Sequence, residues 1–348
     1  MMPGFSARRS ARRLRRFATL LALGRFATVP ALGGFVTVLA LGAGPIQAQA
    51  RSGGAPVSAA GPLVVFNAGS LAYPFRELLA GFARAEPGVQ PMQESSGSLE
   101  AARKLTELGK IPDVLAVADY GVIAKLLMPE RTTWYVTFAS NAMVLAYGDR
   151  SAGAKEITGQ SWWRILLRPQ VRWGASNPAL DPNGYRTHMV FQLAEAHYHE
   201  PGLARRLERA LRPELVRPNE AQLIALVQSG ELDYAWSYQS LARTGGLKWV
   251  DLPREVDLSD PSLADWYARA RVRLPGPRMG GGTADSVEFK GEPIVYAMTI
   301  PAGAPHPALA KAFVRFVLGD EGRRILAAAG FRLLPRPGFT GAGPEVLK

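Results

Sequence analysis

The sequence predicts an α/β protein of two lobes with a ligand cleft between them. Two observations carry this reading. Between Pro62 and Leu127, short apolar runs alternate with amphipathic ones, the pattern of a mostly parallel sheet with helices on its faces. Further along, two long apolar strands of similar composition, 141–147 (NAMVLAY) and 293–300 (PIVYAMTI), bracket about 150 residues. A chain that leaves one lobe, builds a second and returns has this organisation, and the cleft between such lobes is the natural ligand site.

The elements follow in order. Residues 62–67 (PLVVFN) read as a strand running into Ala68-Gly69-Ser70-Leu71. A helix with Phe75, Leu78, Leu79 and Phe82 on one face comes next and closes near Pro87-Gly88. An extended piece begins at Val89 and breaks at Ser95-Ser96-Gly97-Ser98, and a helix over 99–108 stops on Gly109. Residues 112–117 form a strand and 120–127 a helix. Beyond 141–147 lies a stretch rich in tryptophan and arginine. Helices are expected from near Pro182 to about Tyr198 and from near Glu220 to Gly230, with a strand at 233–236. Two amphipathic helices, 307–318 and 321–329, precede a Pro-rich tail, and 275–284 (PGPRMGGGTA) reads as a mobile surface loop. The expected division is an export signal at 1–50, a linker at 51–61, lobe I at 62–140, lobe II at 141–302 and a return to lobe I at 303–348.

The net charge of +12 is concentrated at one end. Residues 1–50 hold seven arginines and no acid; without them 34 basic residues face 29 acidic ones, a net of +5. So mild a field attracts small anions, and no basic stripe interleaved with aromatics argues for nucleic acid. An arginine-rich start, the apolar stretches 17–24 and 26–44, and Ala48-Gln49-Ala50 make up a cleavable export signal. The alternative is a retained anchor, since 26–44 is 19 residues long, about the length that spans a bilayer. Arg15-Arg16 leaves both the general and the twin-arginine export routes open. With no cysteine in the chain, a lipoprotein anchor, disulfides and thiol catalysis are excluded.

Four loop-to-helix junctions are candidates for chemistry: Gly69-Ser70, Gly97-Ser98, Asp181-Pro182-Asn183-Gly184-Tyr185 and Pro218-Asn219-Glu220. Helix starts offer unpaired N–H donors and partial positive charge, which suit an anion. The competing reading of each is ordinary capping, because Ser, Asp and Asn are preferred N-caps; Asn219 with Gln222 has the form of a capping box. Only convergence of several junctions in one cleft separates the two. There is no G-x-S-x-G elbow, P-loop, dinucleotide fingerprint or H-E-x-x-H. His197 and His199 are two apart and face different ways on a helix, so they read as a solvated helix end. Trp134, Trp162, Trp163 and Trp173 read as core.

Across residues 63–335 the junctions and their surroundings resemble the molybdate/tungstate ABC-transporter substrate-binding proteins of the tungstate type. The resemblance rests on Ala68-Gly69-Ser70-Leu71, Gly97-Ser98, Val117-Ala118-Asp119-Tyr120, Asn141 with Met143–Tyr147, Asp181-Pro182 with Gly184-Tyr185-Arg186, Arg217-Pro218 with Glu220, Asp233-Tyr234-Ala235, and Pro293-Ile294 with Tyr296. It implies a periplasmic-binding-protein fold of type II, with two α/β lobes joined by two crossover strands. It also implies a site for the tetra-oxo anion. Ser70 and Ser98 would hold oxygens, Asp181 and Glu220 would ligate the molybdenum or tungsten itself, and Tyr238 would supply a hydroxyl, with Tyr185 as its rival. The sequence departs from the pattern at Asn183, where the family often has cysteine, and in a short 199–217 segment, so that Glu220 rests on its Arg-Pro-x-Glu context. The resemblance implies a periplasmic, monomeric carrier without catalysis or cofactor, partnered by an ABC permease and not by nucleic acid. Sulfate or phosphate as cargo, and a sensor or enzyme on the same fold, are the alternatives.

Overall fold

The computed structural model describes residues 60–276 and 286–347. The expected export signal, nearly all of the linker and most of the 275–284 loop lie outside the described residues.

The first lobe starts with β1 (Gly61–Ala68), a 3-10 turn at Gly69–Leu71, α1 (Ala72–Ala85), β2 (Val89–Ser96), α2 (Ser98–Thr106), β3 (Val114–Val117), α3 (Tyr120–Leu126) and β4 (Trp134–Ser140). The chain then crosses. The second lobe holds β5 (Met143–Tyr147), α4 (Trp162–Leu166), β6 (Trp173–Ser176), α5 (Pro182–His197), α6 (Leu203–Ala210), β7 (Val216–Arg217), α7 (Glu220–Ser229), β8 (Tyr234–Tyr238), α8 (Gln239–Thr244) and β9 (Lys248–Asp251). After α9 (Ala264–Tyr267), a hairpin of β10 (Arg271–Pro275) and β11 (Ser286–Lys290) precedes the return through β12 (Val295–Thr299), α10 (Pro307–Leu318), α11 (Asp320–Ala328), β13 (Arg332–Gly341) and α12 (Gly343–Val346).

The first sheet has the order β13-β4-β12-β3-β1-β2 and the second β7-β6-β8-β5-β9. Strands β2, β1 and β3 run parallel, as β-α-β connections require; β12 and β13 enter antiparallel. The two crossing segments lie side by side: Asn141 N–H donates to Ile294 O (3.4 Å), and both segments bond the same turn, Met143 N–H donating to Asp257 O (2.8 Å) and Ile294 N–H to Leu258 O (2.8 Å).

Two expectations need correction. Residues 293–300 were assigned to lobe II, yet β12 is an inner strand of the first sheet, so the return falls near Ile294 and not after 302. The two apolar strands resemble each other because each is buried in the middle of its own sheet. The Pro-rich tail is the edge strand β13, whose pairing with β4 breaks register between Leu333 and Gly338. Pro335 and Pro337 occupy that break, the kind of edge and bulge position where proline costs no ladder hydrogen bond.

Each lobe has an aromatic centre. In the first, Phe75 and Phe82 of α1 meet Phe313 of α10 edge-on at 6.1 and 5.4 Å. In the second, Trp162 and Phe191 both pack on Trp236, with Trp173 against Phe191. Trp134, Trp162, Trp163 and Trp173 are all buried, as their core reading required.

Candidate functional site

The four junctions of the sequence meet in one place. Parallel strands β1, β2 and β6 present their carboxyl ends to the space between the lobes, where such folds place their ligands. Ser70 follows β1 and Ser98 follows β2 in the first lobe; Asp181 follows β6 and Glu220 follows β7 in the second. The turns touch in pairs. The N–H groups of Leu99 and Glu100, at the start of α2, donate across the cleft to Leu180 O at 3.0 and 3.1 Å. Gly97 permits this approach, since a β-carbon there would lie 2.2 Å from the Leu180 oxygen. Gly69 faces Asn219 in the same way, at ordinary contact distance.

Ser70, Ser98, Asp181, Glu220 and Tyr238 are all buried. Each serine oxygen already accepts a hydrogen bond: Ser70 from the Tyr296 hydroxyl (3.0 Å), Ser98 from Ala118 N–H (3.0 Å). Their own O–H protons remain for another acceptor, and neither serine donates to a base among the described residues. Asp181 caps α5, accepting from Asn183 N–H (3.3 Å), and its other oxygen accepts from Glu220 N–H at the start of α7 (3.0 Å). The capping reading of this junction is therefore realised, but it accounts for only part of the pair. Burial, and then the charge of Glu220, push the Asp181 carboxyl well above the usual carboxylate range. Glu220 itself is enclosed: among the described residues no N–H or hydroxyl group bonds either of its carboxylate oxygens, and the carboxyl of Asp181 lies against it. Asn219, not Glu220, caps α7, through Gln222 N–H (3.3 Å).

Of the two candidate tyrosines, Tyr238 stands beside the carboxylates, whose charges help raise its pKa after burial. It accepts from Arg186 (2.8 Å) and keeps its own proton to donate. Tyr185 turns its hydroxyl to Asp119 instead. Asn183, the departure from the family pattern, is buried and bonded to Ser176 (3.4 Å).

Four residues lining this region carried no role in the sequence reading. Tyr296 of β12 holds Ser70, and Asn141, at the crossing, donates to both Tyr296 (3.3 Å) and Ser240 (2.7 Å). Arg186 and Asp119 form an ion pair at 3.0 Å in which the arginine is 3% exposed. The one available signal was an arginine in the first turns of a helix, just ahead of the apolar run Met189-Val190-Phe191. Removing one partner of such a pair leaves an uncompensated buried charge, a cost of about 3–5 kcal/mol.

Two lobes joined by two crossings, with helix starts converging from both on a buried polar cleft, define a solute-binding protein of the periplasmic type II class. The chain belongs to the family described as bacterial extracellular solute-binding protein, which it matches over residues 63–332. It is 43% identical over 270 residues to an uncharacterized solute-binding protein of Petrotoga mobilis, covering 78% of this chain and 83% of that one. It is 36% identical over 312 residues to the molybdate/tungstate-binding protein WtpA of Pyrococcus abyssi, covering 82% and 88%. Among solved structures, it shares its fold with the Azotobacter vinelandii periplasmic molybdate-binding protein (TM-score 0.54, 16% identity, 79% of this chain and 100% of that one). It also shares it with the sulfate-binding protein SubI of Mycobacterium tuberculosis (TM-score 0.54, 16% identity, 82% and 88%). Among the described residues no helix is long and apolar enough to cross a membrane.

Proposed function

We propose that this protein captures tungstate or molybdate in its interlobe cleft and delivers it to an ABC importer. The observation that carries the reading is the buried Asp181–Glu220 pair with the unpartnered Glu220 carboxylate. Two carboxylates repel a dianion, and a sulfate or phosphate carrier is better served by neutral donors and helix starts. Carboxylate oxygens suit a hard positive centre. The hexavalent metal of tungstate or molybdate is such a centre and expands its coordination from four oxygens to six; the sulfur of sulfate does not. In this reading Asp181 and Glu220 bond the metal, while Ser70, Ser98 and Tyr238 donate to the oxo groups. The names of the WtpA relatives support it. We further infer a monomer without catalytic activity, exported behind a leader cleaved near Arg51. Both serine oxygens are engaged as acceptors, and among the described residues neither is bonded to a base that would activate it as a nucleophile.

Calorimetric titration of the mature domain with tungstate, molybdate and sulfate tests the assignment. Tight binding of the first two and weak or no binding of sulfate is expected. Asp181→Asn and Glu220→Gln should each weaken tungstate by roughly 100-fold or more, since even residues one layer behind a metal ligand cost 10–100-fold. Any sulfate binding should stay unchanged or rise slightly. Because asparagine also caps helices well, an Asp181→Asn protein that binds tungstate like the parent would mean that Asp181 is a cap alone.

A further inference from the structure

We propose that Asp119 and Arg186 form the latch that holds the two lobes closed, with Arg186 acting as a positioning residue for Tyr238. The part concerning the anion rests on the function proposed above; the latch itself does not.

Arg186 lies in the first turns of α5, in the second lobe, and reaches three groups. One of its terminal nitrogens donates to Ala118 O (2.8 Å) and to the Tyr238 hydroxyl (2.8 Å), and the other pairs with Asp119 at 3.0 Å. Ala118 and Asp119 belong to the first lobe, in the turn between β3 and α3. A single guanidinium thus ties the lobes together through its rigid fork. Tyr185, its neighbour, donates its hydroxyl to the same Asp119 carboxylate. The cluster is covered from one side: Phe289 of the β10–β11 hairpin stacks on the Tyr185 ring with centroids 4.8 Å apart, and Lys125 of α3 covers the Phe289 ring at 4.9 Å. The hairpin bridges the lobes as well. Gln192 of α5 donates to Arg271 O (3.0 Å), while Arg103 of α2 donates to Pro275 O (3.1 Å) and Lys125 to Glu288 O (2.7 Å).

The latch adjoins the candidate site on both sides. Ala118 accepts from Arg186 through its carbonyl and donates through its N–H to Ser98. Tyr238 accepts from Arg186, so its own proton is free for an anion oxygen. The bonds from Arg186 to Ala118 O and Asp119 need the lobes in this closed arrangement, and the same two residues, Ala118 and Arg186, hold Ser98 in the first lobe and Tyr238 in the second; an anion gripped by both Ser98 and Tyr238 and a closed latch therefore favour each other.

The test uses Asp119→Asn and Arg186→Gln, with Arg186→Lys as the variant that keeps charge and loses the fork. Asn at 119 still caps α3, as Asp119 does now through Gly121 N–H (2.8 Å), so this variant keeps the helix start while removing the ion pair, and Arg186→Gln removes the buried charge itself. The chain has no cysteine, so spin labels at introduced Glu77→Cys and Arg205→Cys report the lobe separation uniquely. With tungstate as probe, chased by excess molybdate, Asp119→Asn and Arg186→Gln should each raise the dissociation rate at least tenfold. The double variant should lose less than the product of the two. Without any anion, each should show a smaller closed population than the parent. Unchanged label distances and dissociation rate in Asp119→Asn and in Arg186→Lys would overturn the latch. A parent that fails to bind tungstate would instead sink the anion assignment, and the anion-free label distances would still decide the latch.

Discussion

Asp181 and Glu220 sit side by side in the same buried environment and have unequal surroundings: two backbone N–H groups serve Asp181, and none serves Glu220. The raised pKa of Asp181, caused by burial and then by Glu220, gives a signed prediction. In the anion-free fold Asp181 holds its proton more tightly than in the unfolded chain, where its value is 3.8. The folded state therefore gains stability from it at low pH, and that contribution is lost as pH rises from 3.8 through the raised value. Anion binding has the opposite dependence, because a metal-bound carboxylate must give up its proton. Tungstate affinity should fall as pH drops through the raised value of Asp181, with proton release visible as a buffer-dependent heat of binding. Affinity independent of pH and of buffer would contradict the shared environment of the pair. These two residues were legible in the sequence because each marks a helix start. Arg186 and Asp119 were not, because their pairing spans 67 positions and two lobes and no local pattern encodes it.

At the level of elements, the turns before α2 and α5 show how backbone geometry shapes the cleft. The start of α2 spends two N–H groups on Leu180 O, which seats Gly97 against Leu180 and Asp181 and leaves no room for a side chain there. Gly97→Ala should obstruct closure through a clash of its β-carbon with the Leu180 backbone that no rotamer relieves. It should weaken tungstate at least tenfold while leaving the unfolding midpoint of the anion-free protein within a few degrees. Parental affinity in this variant would show that the lobes close elsewhere. Most helices were legible from their apolar spacing, and α5, α7 and α10 lie within a residue or two of expectation. Strand membership was harder. Periodicity marked 293–300 as a buried strand, but which sheet takes it depends on pairing with β3 and β4, more than 150 residues upstream. The edge strand β13 was hidden by its prolines, which obscure the alternation that signals a strand.

Over the whole molecule, the two lobes contribute different chemistry to one cleft: hydroxyls from the first, carboxylates and a tyrosine from the second. The paired crossing segments beside Asn141 connect the lobes and are where a hinge motion would fall. Tyr296, on the strand just after the return, bonds Ser70 and so links that hinge to the site. A carrier for an ordinary tetrahedral anion would gain nothing from closing two carboxylates around it. A carrier for a metal oxyanion would gain two metal–oxygen bonds. The X-ray absorption spectrum of tungsten bound to the closed protein tests this most directly. The account predicts six oxygen neighbours around the metal, falling in Glu220→Gln. A four-coordinate spectrum matching free tungstate, unchanged by that substitution, would contradict it.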